Sequence, residues 1–153
     1  MSILLELERY TPETFSIISS GRDPGLRPVA RESGIDKEWG VLLTLLANDE
    51  DPLPFVSKAL TGAPEIIENA DWFHALRLRD PAMTEQLAVA LEEIDESELE
   101  GRYYRLDLSA AYGAPDHPNA DDFTHTRNAF RLLKDFYSAA SAAGEAITFQ
   151  LWG

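Results

Sequence analysis

Residues 121–152 read DDFTHTRNAFRLLKDFYSAASAAGEAITFQLW, and the fold is decided here. Phe123, Phe130, Leu133, Phe136, Tyr137 and Ala140 recur at helical spacing and give one broad apolar stripe. Asp121 and Asp122 suit the positive end of a helix dipole. Gly144 supplies a stop. The spacing therefore predicts a helix over 121–142. Ala146 to Trp152 follows as a strand, with Ile147, Phe149 and Leu151 on one face and Ala146, Thr148 and Gln150 on the other. A strand that is mostly apolar on both faces belongs in the middle of a sheet covered on both sides.

Working outward, two other segments alternate with period two. Residues 2–9 place Ile3, Leu5 and Leu7 opposite Leu4, Glu6 and Glu8, and Ala75 to Arg79 alternates likewise. Thr11-Pro12 and Asp80-Pro81 are helix starts: the first residue caps, and proline at the first helical position loses no needed N–H. The helix after Pro12 carries Phe15, Ile17 and Ile18. The one at 82–94 carries Met83, Leu87, Leu91 and Ile94, and a shorter one starts at Asp95 with Leu99 and Tyr103 inward. Residues 21–35, with Gly21, Pro24, Gly25, Pro28 and Gly34, read as a loop. Asp36 is expected to open a helix whose stripe is Trp39, Leu42, Leu43 and Leu46, and residues 54–61 to add one or two helical turns. The expected order is β, α, α, α, β, α, α, α, β: a single helix-rich α/β layered domain over 1–153, with a small mixed sheet covered by helices.

The Asp36-Lys37-Glu38-Trp39 opening and the apolar run from Val41 to Leu46 resemble the YfbM-like family, catalogued as a domain of unknown function. Leu60-Thr61-Gly62, the strand and proline-led helix from Ala75 to Ile94, Glu98-Leu99 and the C-terminal helix and strand extend the likeness over most of the chain. Where the family commonly has a Gly-Tyr-Gly-Pro-Ala-type segment, this chain has Phe73-His74-Ala75-Leu76-Arg77. The resemblance implies an α/β layered fold and carries no catalytic residue with it.

Composition bounds the function. The 153 residues hold 13 Lys and Arg against 27 Asp and Glu, a formal charge of −14. Phosphate backbones and anionic membrane surfaces need clustered cations, so neither nucleic acid nor membrane is an expected partner. With no Cys there is no disulfide, thiolate nucleophile or thiolate-bound metal. The N-terminal stretch has no basic leader, and a cytoplasmic location is expected. There is no serine elbow, phosphate loop or dinucleotide fingerprint. No cofactor is expected.

Two readings of function stand. In the first, the chain is a non-enzymatic interaction module whose acidic surface binds a basic protein. Most of the negative charge lies in residues 36–120, and its densest run is Glu92 to Glu100. Asp95, Glu96 and Glu98 suit a helix start there, leaving Glu92, Glu93 and Glu100 as partner-facing candidates. In the second, the chain is a small hydrolase or ligand-binding domain. Its site would lie at Asp36, Lys37 and Trp39, or at His117 and His125 with the neighbouring acids. Asp36 and Trp39 also fit a helix cap and a core anchor. The spacing of His117 and His125 matches no helical zinc pattern, so no structural metal is expected there. The sequence does not fix an oligomeric state.

Overall fold

The structure is a computed structural model, and it describes residues 4–22, 25, 27–36, 38–47, 65–67, 76–111, 113–114 and 120–152. In chain order the elements are β1 (Leu4–Tyr10), α1 (Pro12–Ser19), β2 (Ala30–Asp36), α2 (Trp39–Ala47), β3 (Glu65–Ile67), β4 (Leu76–Arg79), α3 (Pro81–Glu92), α4 (Glu96–Arg105), α5 (Ala120–Ala142) and β5 (Ala146–Trp152).

The helices start where short polar side chains can take up free N–H groups. The Thr11 hydroxyl accepts from the Thr14 N–H, and Asp80 accepts from that of Met83 at 2.7 Å. Asp95 accepts from the Ser97 N–H at 2.9 Å, with Glu96 and Glu98 in the positive first turn and Arg102 and Arg105 in the negative last one. Gly144 ends α5 at φ 67°, a left-handed conformation that side chains with a Cβ resist.

The strands lie in the order β2-β1-β5-β4-β3. The final strand is central, as its two-sided apolar sequence predicts, and Ala146 to Gln150 are all buried. Every ladder among the described residues is antiparallel, so the expected mixed sheet is corrected. Period-two patterning fixes which face a residue takes, but not which way its neighbour runs.

Two more expectations change. Residues 30–36 are not loop but the edge strand β2. Its polar sequence, Ala-Arg-Glu-Ser-Gly-Ile-Asp, hides the strand, since an edge needs few apolar residues. Gly34 allows a close approach: a Cβ there would stand 3.0 Å from the Leu132 side chain on α5 and from the Glu32 carboxylate, so those side chains would have to give way. Asp36 closes that strand instead of opening a helix, and the Glu38 N–H bonds back to the Ile35 carbonyl at 3.0 Å before α2 begins at Trp39. The turns expected at 54–61 lie outside the described residues.

One face of the sheet carries the main core. Leu5, Leu7, Ile35, Ile147 and Phe149 pack there against Leu42 and Leu45 of α2, Leu87 and Leu91 of α3, Tyr103 of α4, and Phe130, Leu133 and Tyr137 of α5. Two cations are held within it. Arg79 lies 5.5 Å from the centre of the Phe149 ring and donates to the Leu78 carbonyl at 2.8 Å. Arg102 donates to the Leu45 carbonyl near the end of α2 and to Glu98 at 3.0 Å. Burial raises the Tyr137 hydroxyl far above its ordinary pKa, and Arg79 opposes that shift in part. On the opposite face α1 covers one end, where Ile18 packs on Leu78 with Tyr10 and Phe15 around them.

Candidate functional site

Helix α3 ends at Glu92, with Glu93 as its cap. Beside it runs the last part of α5, and between them lies an open groove of about 420 Å³. Ala88, Val89 and Ala142 give the groove apolar surface, Ser138 and Ser141 give it hydroxyls, and Glu92 and Glu93 give it charge. Both acids are exposed, and Val89 is 56% exposed, one of few large apolar side chains open to water among the described residues.

The electrostatics of this groove are one-sided. A helix C-terminus carries roughly half a negative charge from its unpaired carbonyls. Neither α3 nor α5 has a basic residue in its last turn to offset that charge. Among the described residues, neither Glu92 nor Glu93 is in an ion pair. Acids that oppose their own helix dipole cost local stability.

The other residues singled out by sequence are placed as follows. Glu100 is half-buried on α4 and does not line the groove. Asp36 ends β2 opposite Leu5, and Lys37 lies outside the described residues. Trp39 is half-buried and packs against the main core from its margin, so it is not the fully enclosed anchor its stripe suggested. His117 lies outside the described residues, and His125 is exposed on α5. The Thr126 hydroxyl donates to Glu38 at 3.3 Å and so ties the start of α2 to α5. His125, one position away, faces solvent. No group of three or more His, Asp or Glu side chains gathers among the described residues in a way that could hold a metal.

Sequence reasoning missed one polar cluster. Glu6, Glu8 and Tyr10 alternate with Leu5, Leu7 and Arg9, so they share the face of the sheet away from the main core. The register sets Gln150 opposite Glu6 and Thr148 opposite Glu8 on β5, and Arg31 opposite Glu8 on β2. Tyr10 donates to Glu8, and the Gln150 amide nitrogen donates to Glu6 at 3.5 Å. The Arg31 guanidinium stands 3.5 Å from each carboxylate. The signal available in sequence was the Glu-x-Glu-x-Tyr alternation, but its partner lies 144 positions away.

Burial pushes the Glu8 carboxyl above the ordinary carboxylate range, and neighbouring Glu6 adds to the shift. The Tyr10 hydrogen bond and the Arg31 charge pull the other way. A folded pKa above the unfolded one means stability that is present below the unfolded value and lost as pH rises through the folded value. Glu8→Gln keeps an acceptor for Tyr10 and removes the charge. It is expected to leave the urea midpoint unchanged at about pH 4 and to raise it at about pH 7. A midpoint lowered at the higher pH contradicts this account.

A family model described as "Domain of unknown function (DUF1877)" matches residues 1–150. Among solved structures, the fold is similar to the crystal structure of YfbM from Escherichia coli, a protein of unknown function. The TM-score is 0.67 at 19% identity, over 97% of this chain and 99% of that one. No curated protein matches the chain. Among the described residues no helix is long and apolar enough to cross a membrane. With its model matched over nearly the whole length, the chain belongs to the DUF1877 family.

Proposed function

We propose that this protein is an interaction module that captures a basic partner in the groove between α3 and α5. The observation that carries the reading is the meeting of Glu92 and Glu93 with an apolar floor, at two helix ends that lack compensating cations. A Lys or Arg side chain has an apolar stem and a charged head. The stem fits against Val89 and Ala88 while the head reaches the carboxylates. The charge of −14 on the whole chain speeds encounter with such a partner, and Glu100 extends the same field from α4.

The test is a pull-down from lysate at low and high salt, followed by association kinetics with the partner recovered. Glu92→Lys with Glu93→Lys is expected to slow association by about tenfold or more at low salt. Stability should stay within about 1 kcal/mol or rise slightly, because the reversed charges now suit the helix dipole. Glu100→Lys is expected to have a smaller effect on the rate. An association rate indifferent both to salt and to these reversals would overturn the reading.

A further inference from the structure

We propose that the α3–α5 groove also receives a second copy of this chain, the two molecules packing their α5 helices antiparallel about a two-fold axis. The proposal rests on the reading of the groove given above and names an occupant for it.

The argument starts from one stripe of α5. Arg127, Arg131, Lys134, Ser138 and Ser141 are spaced four, three, four and three apart, so they share one side of the helix. None of the five is buried. The chain that leaves α3 runs back along this stripe. Glu92 and Glu93 line the groove with Ser138 and Ser141, and Glu96 accepts two hydrogen bonds from the Arg131 guanidinium, at 2.7 and 2.8 Å. The Arg131 fork holds the Glu96 carboxyl below its usual range, and the charges of Lys134 and Arg127 add to this. Three cations therefore gather around one acid at this end of the stripe. The other end holds Glu92, Glu93 and the negative ends of two helices.

Such a surface is complementary to itself when reversed. A two-fold axis between Lys134 and Asp135 sets Arg131 opposite Ser138, Arg127 opposite Ala142 and Lys134 opposite Asp135 of the second copy. The two arginines then stand at the groove bounded by Glu92 and Glu93, and the symmetry makes each contact twice. Their stems cover Val89. The Arg131 side chain remains 52% exposed in its fork with Glu96, so it can reach a second carboxylate without leaving the first. Two antiparallel helices also oppose their dipoles favourably. The net charge of −14 on each copy works against approach. At about 0.15 M salt, charges more than about 8 Å apart are largely screened, so contact pairs outweigh the distant repulsion.

The test is sedimentation velocity on the whole protein, with two charge-reversed variants run alone and mixed. The native chain at about 0.15 M salt is expected to dimerise with a Kd of about 100 μM or tighter, and to dissociate at about 1 M salt. Glu92→Lys with Glu93→Lys makes the stripe basic throughout, and Arg127→Glu with Arg131→Glu makes it acidic throughout. Each variant alone is expected to weaken the dimer by about tenfold or more, and an equimolar mixture to restore it. Both variants keep a net negative charge, so restoration cannot come from overall attraction. If the arginine reversal fails to fold, Arg127→Gln with Arg131→Gln, which puts no acid beside Glu96, is expected to show the same loss of dimer. A monomer at every concentration up to about 1 mM would overturn the proposal, as would a dimer indifferent to the reversals or a mixture that fails to recover. A chain that stays monomeric yet captures a salt-sensitive basic partner through Glu92 and Glu93 would leave the groove reading standing without the second copy.

Discussion

Deletion of residues 146–153 is expected to abolish cooperative unfolding. Strand β5 pairs with β1 along seven residue pairs and with β4 along three, so among the described residues it is the only strand joining the two halves of the sheet. Without it, β2-β1 and β3-β4 become separate two-stranded ribbons, and such ribbons are marginal in water. Leu5 and Leu7 lose their neighbour Phe149, and α5 loses the floor beneath Phe130, Leu133 and Tyr137. The freed edges of β1 and β4 would invite pairing between chains. Circular dichroism melts and gel filtration of the truncated chain provide the check. A soluble monomer with a sigmoidal transition would mean that the core is organised by the helices alone.

Phe130→Ala is expected to cost about 3–5 kcal/mol and to lower the melting temperature by about 10 °C. Phe130 is fully buried on α5, and the side chains around it come from a sheet and helices that cannot all close on the space it leaves. Phe130→Leu, which keeps most of the volume, should cost only about 1–1.5 kcal/mol. Urea midpoints for the pair test the cavity account directly. Similar losses for both substitutions would point to the ring itself, whose face lies 5.8 Å from the Lys134 ammonium.

Much of this architecture is legible in the sequence because its cues are local. Thr11-Pro12, Asp80-Pro81 and Asp95 cap the helices they announce, and Gly144 stops α5. The apolar richness of residues 146–152 places β5 in the middle of the sheet before any partner is known. What stayed hidden is non-local. Strand β2 is polar and sits at an edge, so nothing in residues 30–36 announces pairing; even Gly34 reads as a breaker until Leu132 is seen against it. Strand direction escaped for the same reason, being set by which chain segments meet. The groove was half legible: Glu92 and Glu93 stood out as acids at the wrong end of a helix, but their apolar floor comes partly from Ala142, some fifty residues on. The Glu6–Glu8–Gln150 cluster depends wholly on a register between distant strands.

That register has a consequence for synthesis of the chain. A protein made from its N-terminus exposes β1 to the cell long before the strand that completes it exists. β1 can meet β2 early, because only a short span separates them, but its other edge must wait until β5 has left the ribosome. While the residues between β2 and β5 are being made, the nascent chain therefore carries a half-built sheet with one open edge. Glu6 and Glu8 lie along that waiting strand, and their charges discourage premature pairing with other chains. The same acids that look costly on the finished sheet thus protect it while it is being made.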